Sequence, residues 1–230
     1  MRIDKTFRKK HNINNVRIIE FSLITIGFIL SLINTFLLTL FFIGLIFYIK
    51  QKNIGNIKAL LIITSRSIIN NAIGVPISRI GILKWILIFI FATLIFFNLD
   101  INKKDKKGLF TFTLLLVLFS LYCVISTLVV SSYPIISIMK ILSYAFVFCS
   151  VVYGVASTYM KINWIGYLIK LLTPIVIISF FVIPFDYFRI RNGNFQGILN
   201  HPNMCGIILS IFITSILYRS IQKRKLDLWY

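Results

Sequence analysis

The stretch LFTFTLLLVLFSLYCVISTLVV, Leu109–Val130, decides the fold. It contains no charged residue and follows the basic cluster Lys103, Lys104, Lys106 and Lys107. At about 1.5 Å rise per residue, a helix of this length covers roughly 33 Å, enough to cross the hydrocarbon core of a bilayer. Working outward, Ile136–Ala156 and Trp164–Pro184 are runs of the same kind. Trp85–Leu99 and Met204–Tyr218 are shorter and are expected to extend a turn into their flanks. Ile18–Tyr48 is too long for one upright helix and tight for two, and Ser31, Asn34 and Thr35 near its middle suit a hairpin turn. Ile57–Ile77 opens apolar but carries Arg66, Asn70 and Asn71, which fits a span, a re-entrant segment or an interfacial helix.

Composition agrees with a lipid solvent. The 230 residues are 58% hydrophobic and 13% charged, whereas soluble domains run at about 25% charged. A soluble core of this length could not hide so much apolar surface. The net charge is +19, from 25 Lys and Arg against 6 Asp and Glu. In a nucleic-acid binder those cations would form a broad basic face. Here they sit in short clusters between apolar runs, the pattern of topology-setting charge beside anionic lipid, and no nucleic-acid partner is expected.

The positive-inside rule then arbitrates topology. If Ile18–Tyr48 is a hairpin and Ile57–Ile77 crosses once, 18 Lys and Arg fall on the cytoplasmic side and four, Arg79, Lys84, Arg189 and Arg191, fall outside. Arg66, Lys140 and Lys170 lie within spans. The expectation is an all-α polytopic helical bundle of about eight transmembrane helices, with both termini cytoplasmic. Residues 1–17 and 219–230 form basic tails around one membrane domain, 18–218, with an outward loop at 185–203. The basic N-terminus precedes an apolar stretch longer than a signal peptide's core of about 7–15 residues, so retention is expected.

Cys123, Cys149 and Cys205 are spread along apolar stretches and read as buried, inert thiols. With no C-x-x-C pair and only His11 and His201, neither a metal site nor a cofactor is expected. Lys140 and Lys170 lie near span ends and are expected to snorkel, with contact to a bound diphosphate as the functional alternative for Lys140. Arg66 lies deeper and would be functional if its segment crosses. Tyr48, Trp85, Trp164, Tyr187 and Tyr218 suit an interfacial belt.

The unusual residues gather in the outward loop, FDYFRIRNGNFQGILNHPN. Pro202 disfavours helix at His201, and Asn203 is an N-cap candidate for the helix that follows. Gly193 and Gly197 permit positive φ and close backbone approach. Arg189 and Arg191 offer planar donor forks suited to phosphate, and a helix N-terminus attracts anions as well. His201 could act as a general base, although turn packing also explains it, and Asp186 could orient a sugar or pair with an arginine. There is no paired-carboxylate constellation, P-loop or acidic metal motif.

The string Phe195-Gln-Gly-Ile-Leu-Asn-His-Pro-Asn203, followed by Gly206 and an apolar helix, resembles the signature of the O-antigen ligase/O-antigen polymerase superfamily. Lys58–Arg79 also looks like an early membrane segment of Gram-positive members. The resemblance covers about a dozen residues. It implies a membrane glycosyltransferase of cell-envelope or capsule polysaccharide biosynthesis, transferring oligosaccharide from polyprenyl diphosphate to a sugar hydroxyl at the outer membrane face. It implies Arg191, Arg189 and Lys140 as diphosphate ligands, and Gly197, Pro202, Asn203 and Gly206 as motif positions. It also implies company with other polysaccharide-assembly membrane proteins. Family members often carry an arginine directly before the phenylalanine, or two residues before the phenylalanine-x-glycine; Asn194 precedes Phe195 here. Such enzymes are also longer, so the chain resembles the N-terminal half of one. The alternative class is a non-enzymatic membrane subunit or a lipid-linked-glycan transporter or flippase component.

Overall fold

A computed structural model describes residues 20–70, 73–99, 106–182, 184, 190–191 and 194–222. In chain order these form α1 (Glu20–Leu30), α2 (Thr35–Gly44), a 3₁₀ helix (Leu45–Gln51), α3 (Lys52–Ser67), a 3₁₀ turn (Ile77–Ile80) and α4 (Gly81–Phe97). Then follow α5 (Lys106–Val130), α6 (Pro134–Thr158), α7 (Trp164–Phe181), strands β1 (Ile190–Arg191) and β2 (Asn194–Phe195), and α8 (Pro202–Gln222). Among the described residues, six helical stretches are long and apolar enough to cross a membrane: Thr35–Ser67, Ile77–Phe97, Lys107–Val130, Pro134–Thr158, Trp164–Phe181 and Pro202–Ile221. The chain is a multi-pass helical membrane protein.

Thr35–Ser67 is not one straight rod. Lys52 sits at φ +52°, a left-handed value that strains a side-chain-bearing residue, and it marks a break between the 3₁₀ helix and α3. Side-chain bonds show what the break does. Near the start of α2, Thr35 accepts from Arg79, while Arg66 in the last turn of α3 reaches Ser31, just before α2. An unbroken helix would hold Thr35 and Arg66 more than 40 Å apart at about 1.5 Å per residue. The chain therefore folds back at Lys52, and α2 and α3 run in opposite directions. α1 and α2 meet at a turn over 31–33, where the Asn34 side chain accepts from the Leu37 N–H and caps α2.

α3 is the buried centre. It packs against α4, α6 and α7, and its Asn53, Asn56, Lys58, Ser65 and Arg66 are all buried beside Ile57, Ile62 and Ile63. The helical segment expected over Ile57–Ile77 is thus shifted to Lys52–Ser67. Hydropathy misplaces it because these polar side chains are covered by other helices and not by lipid. Asn53, for example, donates to the Asn98 carbonyl (2.8 Å) and to Ser157 Oγ (3.3 Å), tying α3 to the ends of α4 and α6. Gly154 lets α6 approach closely, since a Cβ there would meet Ile57 and Ile95 at under 3 Å. An aromatic seam, Trp85–Tyr144, Phe89–Phe146 and Phe96–Phe146, joins α4 to α6.

α5 packs chiefly on α6 and otherwise presents apolar side chains such as Phe119 and Val129 outward. That exposure is costly in water and natural in lipid. A second apolar cluster, built on Ile69, Leu172, Ile175, Ile198, Leu199 and Cys205, joins the loop before α8 to α7 and the end of α3.

Candidate functional site

The segment that carries the signature begins as a hairpin. β1 and β2 pair antiparallel, Ile190 with Phe195 and Arg191 with Asn194, so Arg191 is placed in a two-residue ladder. Two-residue strands add a local β element to the otherwise helical architecture, with Asn192-Gly193, a pair that tight hairpins favour, between them in sequence.

After Phe195 the chain turns inward. Gln196, Ile198 and Leu199 are buried. Gly197 has φ +58°, and a Cβ there would lie 2.7 Å from Ser179 Cβ and Oγ, so both backbone conformation and space demand glycine. Ser179 Oγ accepts from the Ile198 N–H (3.3 Å), which fixes this turn on α7. Leu199 then forms an isolated antiparallel bridge with Ile69. The Asn70 N–H donates to the Ile198 carbonyl (2.8 Å) and the Asn200 N–H to the Ile68 carbonyl (3.0 Å). The Asn200 side chain adds a bond to the Ser67 carbonyl (3.3 Å). This pairing shows why α3 stops at Ser67: the backbone of Ile68–Asn70 is used by the loop before α8.

The helix start differs from the expectation. α8 begins at Pro202, not after Asn203. The His201 carbonyl accepts from the Met204 and Cys205 N–H groups, and its Nδ1 accepts from the Asn203 N–H (3.2 Å). His201 is therefore the cap and Pro202 the first helical residue, a position that loses nothing by lacking an N–H. Asn203 sits inside the first turn. With Nδ1 accepting, the proton of neutral His201 is on Nε2, so a base role at Nε2 requires the other tautomer and the loss of this cap.

The remaining predicted residues are spread. Asp186 and Arg189 lie outside the described residues. Lys140 is exposed on α6, whose main packing partners are α3, α4 and α5, and it makes no hydrogen bond or ion pair among the described residues. Gly206 has open space where its Cβ would stand, so the packing of α8 does not require it. Among the described residues no group of three His, Cys, Asp or Glu could hold a metal ion.

Two polar clusters went unread in the sequence. In the first, Arg66 is buried to 1% exposure and donates to Ser31 Oγ, the Ser31 carbonyl and the Val75 carbonyl. In the second, at the opposite end of α3, Glu20 Oε1 pairs with Lys58 Nζ at 2.6 Å and accepts from the Tyr48 hydroxyl at 3.1 Å. Lys58 also lies over the rings of Tyr48 and Tyr167. The hydroxyl of Tyr48, a residue expected in an interfacial belt, is a partner of this ion pair. The signal was Glu20 itself, an acid inside an otherwise apolar run, which demands a partner.

The two ends are well separated. From Asn163, at the start of α7, to Ser179 is about 24 Å along the helix axis. No protein-family model, no curated protein and no solved structure matches the chain.

Proposed function

We propose that this protein is a membrane glycosyltransferase of the O-antigen ligase/polymerase type, or the part of one that binds its lipid-linked donor. The observation that carries the reading is the seating of the signature. Gln196–Leu199 is buried, bridged to the segment just after α3 and bonded to α7, so the adjoining hairpin with Arg191 rests on a rigid base. Binding groups held on rigid elements waste little energy on ordering. On this reading the hairpin faces the outer side of the bacterial cytoplasmic membrane, the chain crosses eight times, and both termini are cytoplasmic.

In mechanism, Arg191 with Arg189 holds the diphosphate of a polyprenyl-linked oligosaccharide. Their fixed positive charge stabilises the negative charge that develops on the diphosphate as the anomeric bond breaks. The acceptor hydroxyl attacks the anomeric carbon and gives its proton to a base, for which His201 and Asp186 are the candidates within this chain.

Binding of an undecaprenyl-diphosphate oligosaccharide to the purified protein tests the reading. A charge-assisted arginine–phosphate contact is worth about 1.5–3 kcal/mol, so Arg191→Ala should weaken binding roughly ten- to a hundredfold. Arg191→Lys, without the fork, should recover part of the loss. Lys107→Ala, on α5, should change nothing. Equal binding by all four proteins would return the chain to the non-enzymatic class of membrane subunit.

A further inference from the structure

At the Lys58 end of the bundle a cavity of about 190 Å³ opens between the start of α1, α3, the start of α7 and the end of α8. Three cations line it, Lys58, Lys170 and Arg219, against one carboxylate, Glu20. Glu20 is already committed to Lys58. Lys170 and Arg219 have no carboxylate partner among the described residues, where Lys58–Glu20 is the single ion pair. Two donors at the cavity are buried without an acceptor, the Tyr167 hydroxyl and Arg219 Nε. Buried donors without partners cost free energy unless a bound group satisfies them. What the cavity lacks is an anion rich in acceptor oxygens.

The cavity has an apolar continuation. Phe21 and Ile24 line both it and a groove that runs along α1 and α7, walled by Phe28, Leu171, Pro174 and Ile175. Between these helices, therefore, a cationic pocket leads directly into an apolar channel along the bundle. That is the shape and polarity of a lipid with a phosphate head.

We propose that this site binds a single phosphate-headed membrane lipid, with the phosphate held by Lys170, Arg219 and Tyr167 and the hydrocarbon chain lying along the α1–α7 groove. The room suffices: a water needs about 10–15 Å³ of such volume, so the cavity admits a phosphate together with part of its ester. Glu20 neutralises Lys58, leaving a net charge of about two from Lys170 and Arg219, which selects an acidic lipid over a zwitterionic one. The cationic pocket lies at the opposite end of α7 and α8 from the hairpin and shares no residue with it, whereas the groove reaches Ile198 of the signature segment; the phosphate-holding half of the site thus stands independently of the glycosyltransferase reading.

Native mass spectrometry of the full chain in mild detergent provides the test, with phosphatidylglycerol, phosphatidylcholine, undecaprenyl phosphate and inorganic phosphate added separately. One acidic lipid per chain should be retained, at least tenfold more tightly than phosphatidylcholine. The double variant Lys170→Gln/Arg219→Gln should lose about tenfold or more in affinity, and Tyr167→Phe should weaken retention while keeping the fold, which a circular dichroism melt checks. Thr25→Trp, which fills the groove, should expel the lipid while the cations remain. Lys107→Gln is the control and should bind as the wild type. Whether phosphatidylglycerol or undecaprenyl phosphate is held more tightly identifies the source of the phosphate head, and either supports the proposal. Retention that ignores the double variant and Tyr167→Phe would overturn it. So would binding of inorganic phosphate with no lipid retained, because the groove would then have no part.

Discussion

Arg66 Nε donates to Ser31 Oγ across 3.0 Å, joining residues 35 positions apart in sequence. The same guanidinium donates to the Val75 carbonyl at 2.7 Å, and the Ser31 hydroxyl in turn donates to the Phe28 carbonyl. One side chain thereby ties the α1–α2 turn to the end of α3 and to the loop beyond it. The Val75 N–H completes the joint by donating to the Leu32 carbonyl. A guanidinium suits this role because its donors diverge in a fixed plane and reach several carbonyls at once.

Replacing that fork should loosen the whole joint. Arg66→Met removes the charge and at least three hydrogen bonds, and takes this donor from the buried Ser31 carbonyl and the part-buried Val75 carbonyl. The expected loss is about 3 kcal/mol, seen as a lower melting temperature in detergent. Arg66→Lys keeps the charge but reaches fewer acceptors, so it should fall between Met and wild type. A melt unchanged by Arg66→Met would show that the joint is held by its apolar neighbours.

Gly197→Ala should destabilise by about 1–3 kcal/mol, from the left-handed φ and from the clash with Ser179. Ser179→Gly removes the clash but not the φ strain, and it has its own cost through the lost Ile198 N–H acceptor and a glycine within α7, so Gly197→Ala measured against Ser179→Gly alone should cost less than in the wild type but not vanish. No cost at all in that background would assign the whole effect to the contact with α7.

The fold-back at Lys52 makes a labelling prediction. With Cys123, Cys149 and Cys205 replaced, single cysteines at Gln51 and Lys107 should react from one side of the membrane and a cysteine at Asn194 from the other. If Thr35–Ser67 instead crossed as one long helix, Gln51 would sit near mid-membrane and resist labelling from both sides.

How much of this was legible in the sequence depends on what surrounds each helix. α5 and α6 read directly, because both are almost wholly apolar along their length, whichever neighbour each face meets, and hydropathy measures just that. α3 did not: its Asn53, Asn56, Lys58 and Arg66 are buried by other helices, whose identity no single-segment score contains. Gly197 was read as permitting positive φ and close approach, and it has both. The cap passed two residues upstream, from Asn203 to His201, because a proline at the first helical position puts the cap on the residue before it, and an imidazole seldom serves there. Lys58 is 38 residues from Glu20 and Ser31 is 35 residues from Arg66, beyond any local pattern.

The Glu20–Lys58 pair allows the sharpest energetic test. Lys58 Nζ lies 2.6 Å from Glu20 Oε1, and its side chain is 8% exposed against 24% for Glu20. Burying both ions costs desolvation, which their attraction and the bond from Tyr48 offset. Removing one partner is therefore worse than removing both. Glu20→Gln leaves a buried ammonium without its counter-ion and should cost about 3 kcal/mol, the low end of the range for breaking a buried pair. Lys58→Met strands a half-buried carboxylate, which water reaches more easily, so it should cost less. The double variant Glu20→Gln/Lys58→Met should be more stable than the two losses added together, with a coupling of about 1–3 kcal/mol. Tyr48→Phe should cost about 1 kcal/mol in the wild type and less in the double variant, where the carboxylate it serves is gone. Strictly additive melts across this cycle would mean that the two ions act as separate surface charges and that α1 is held to α3 by apolar packing alone.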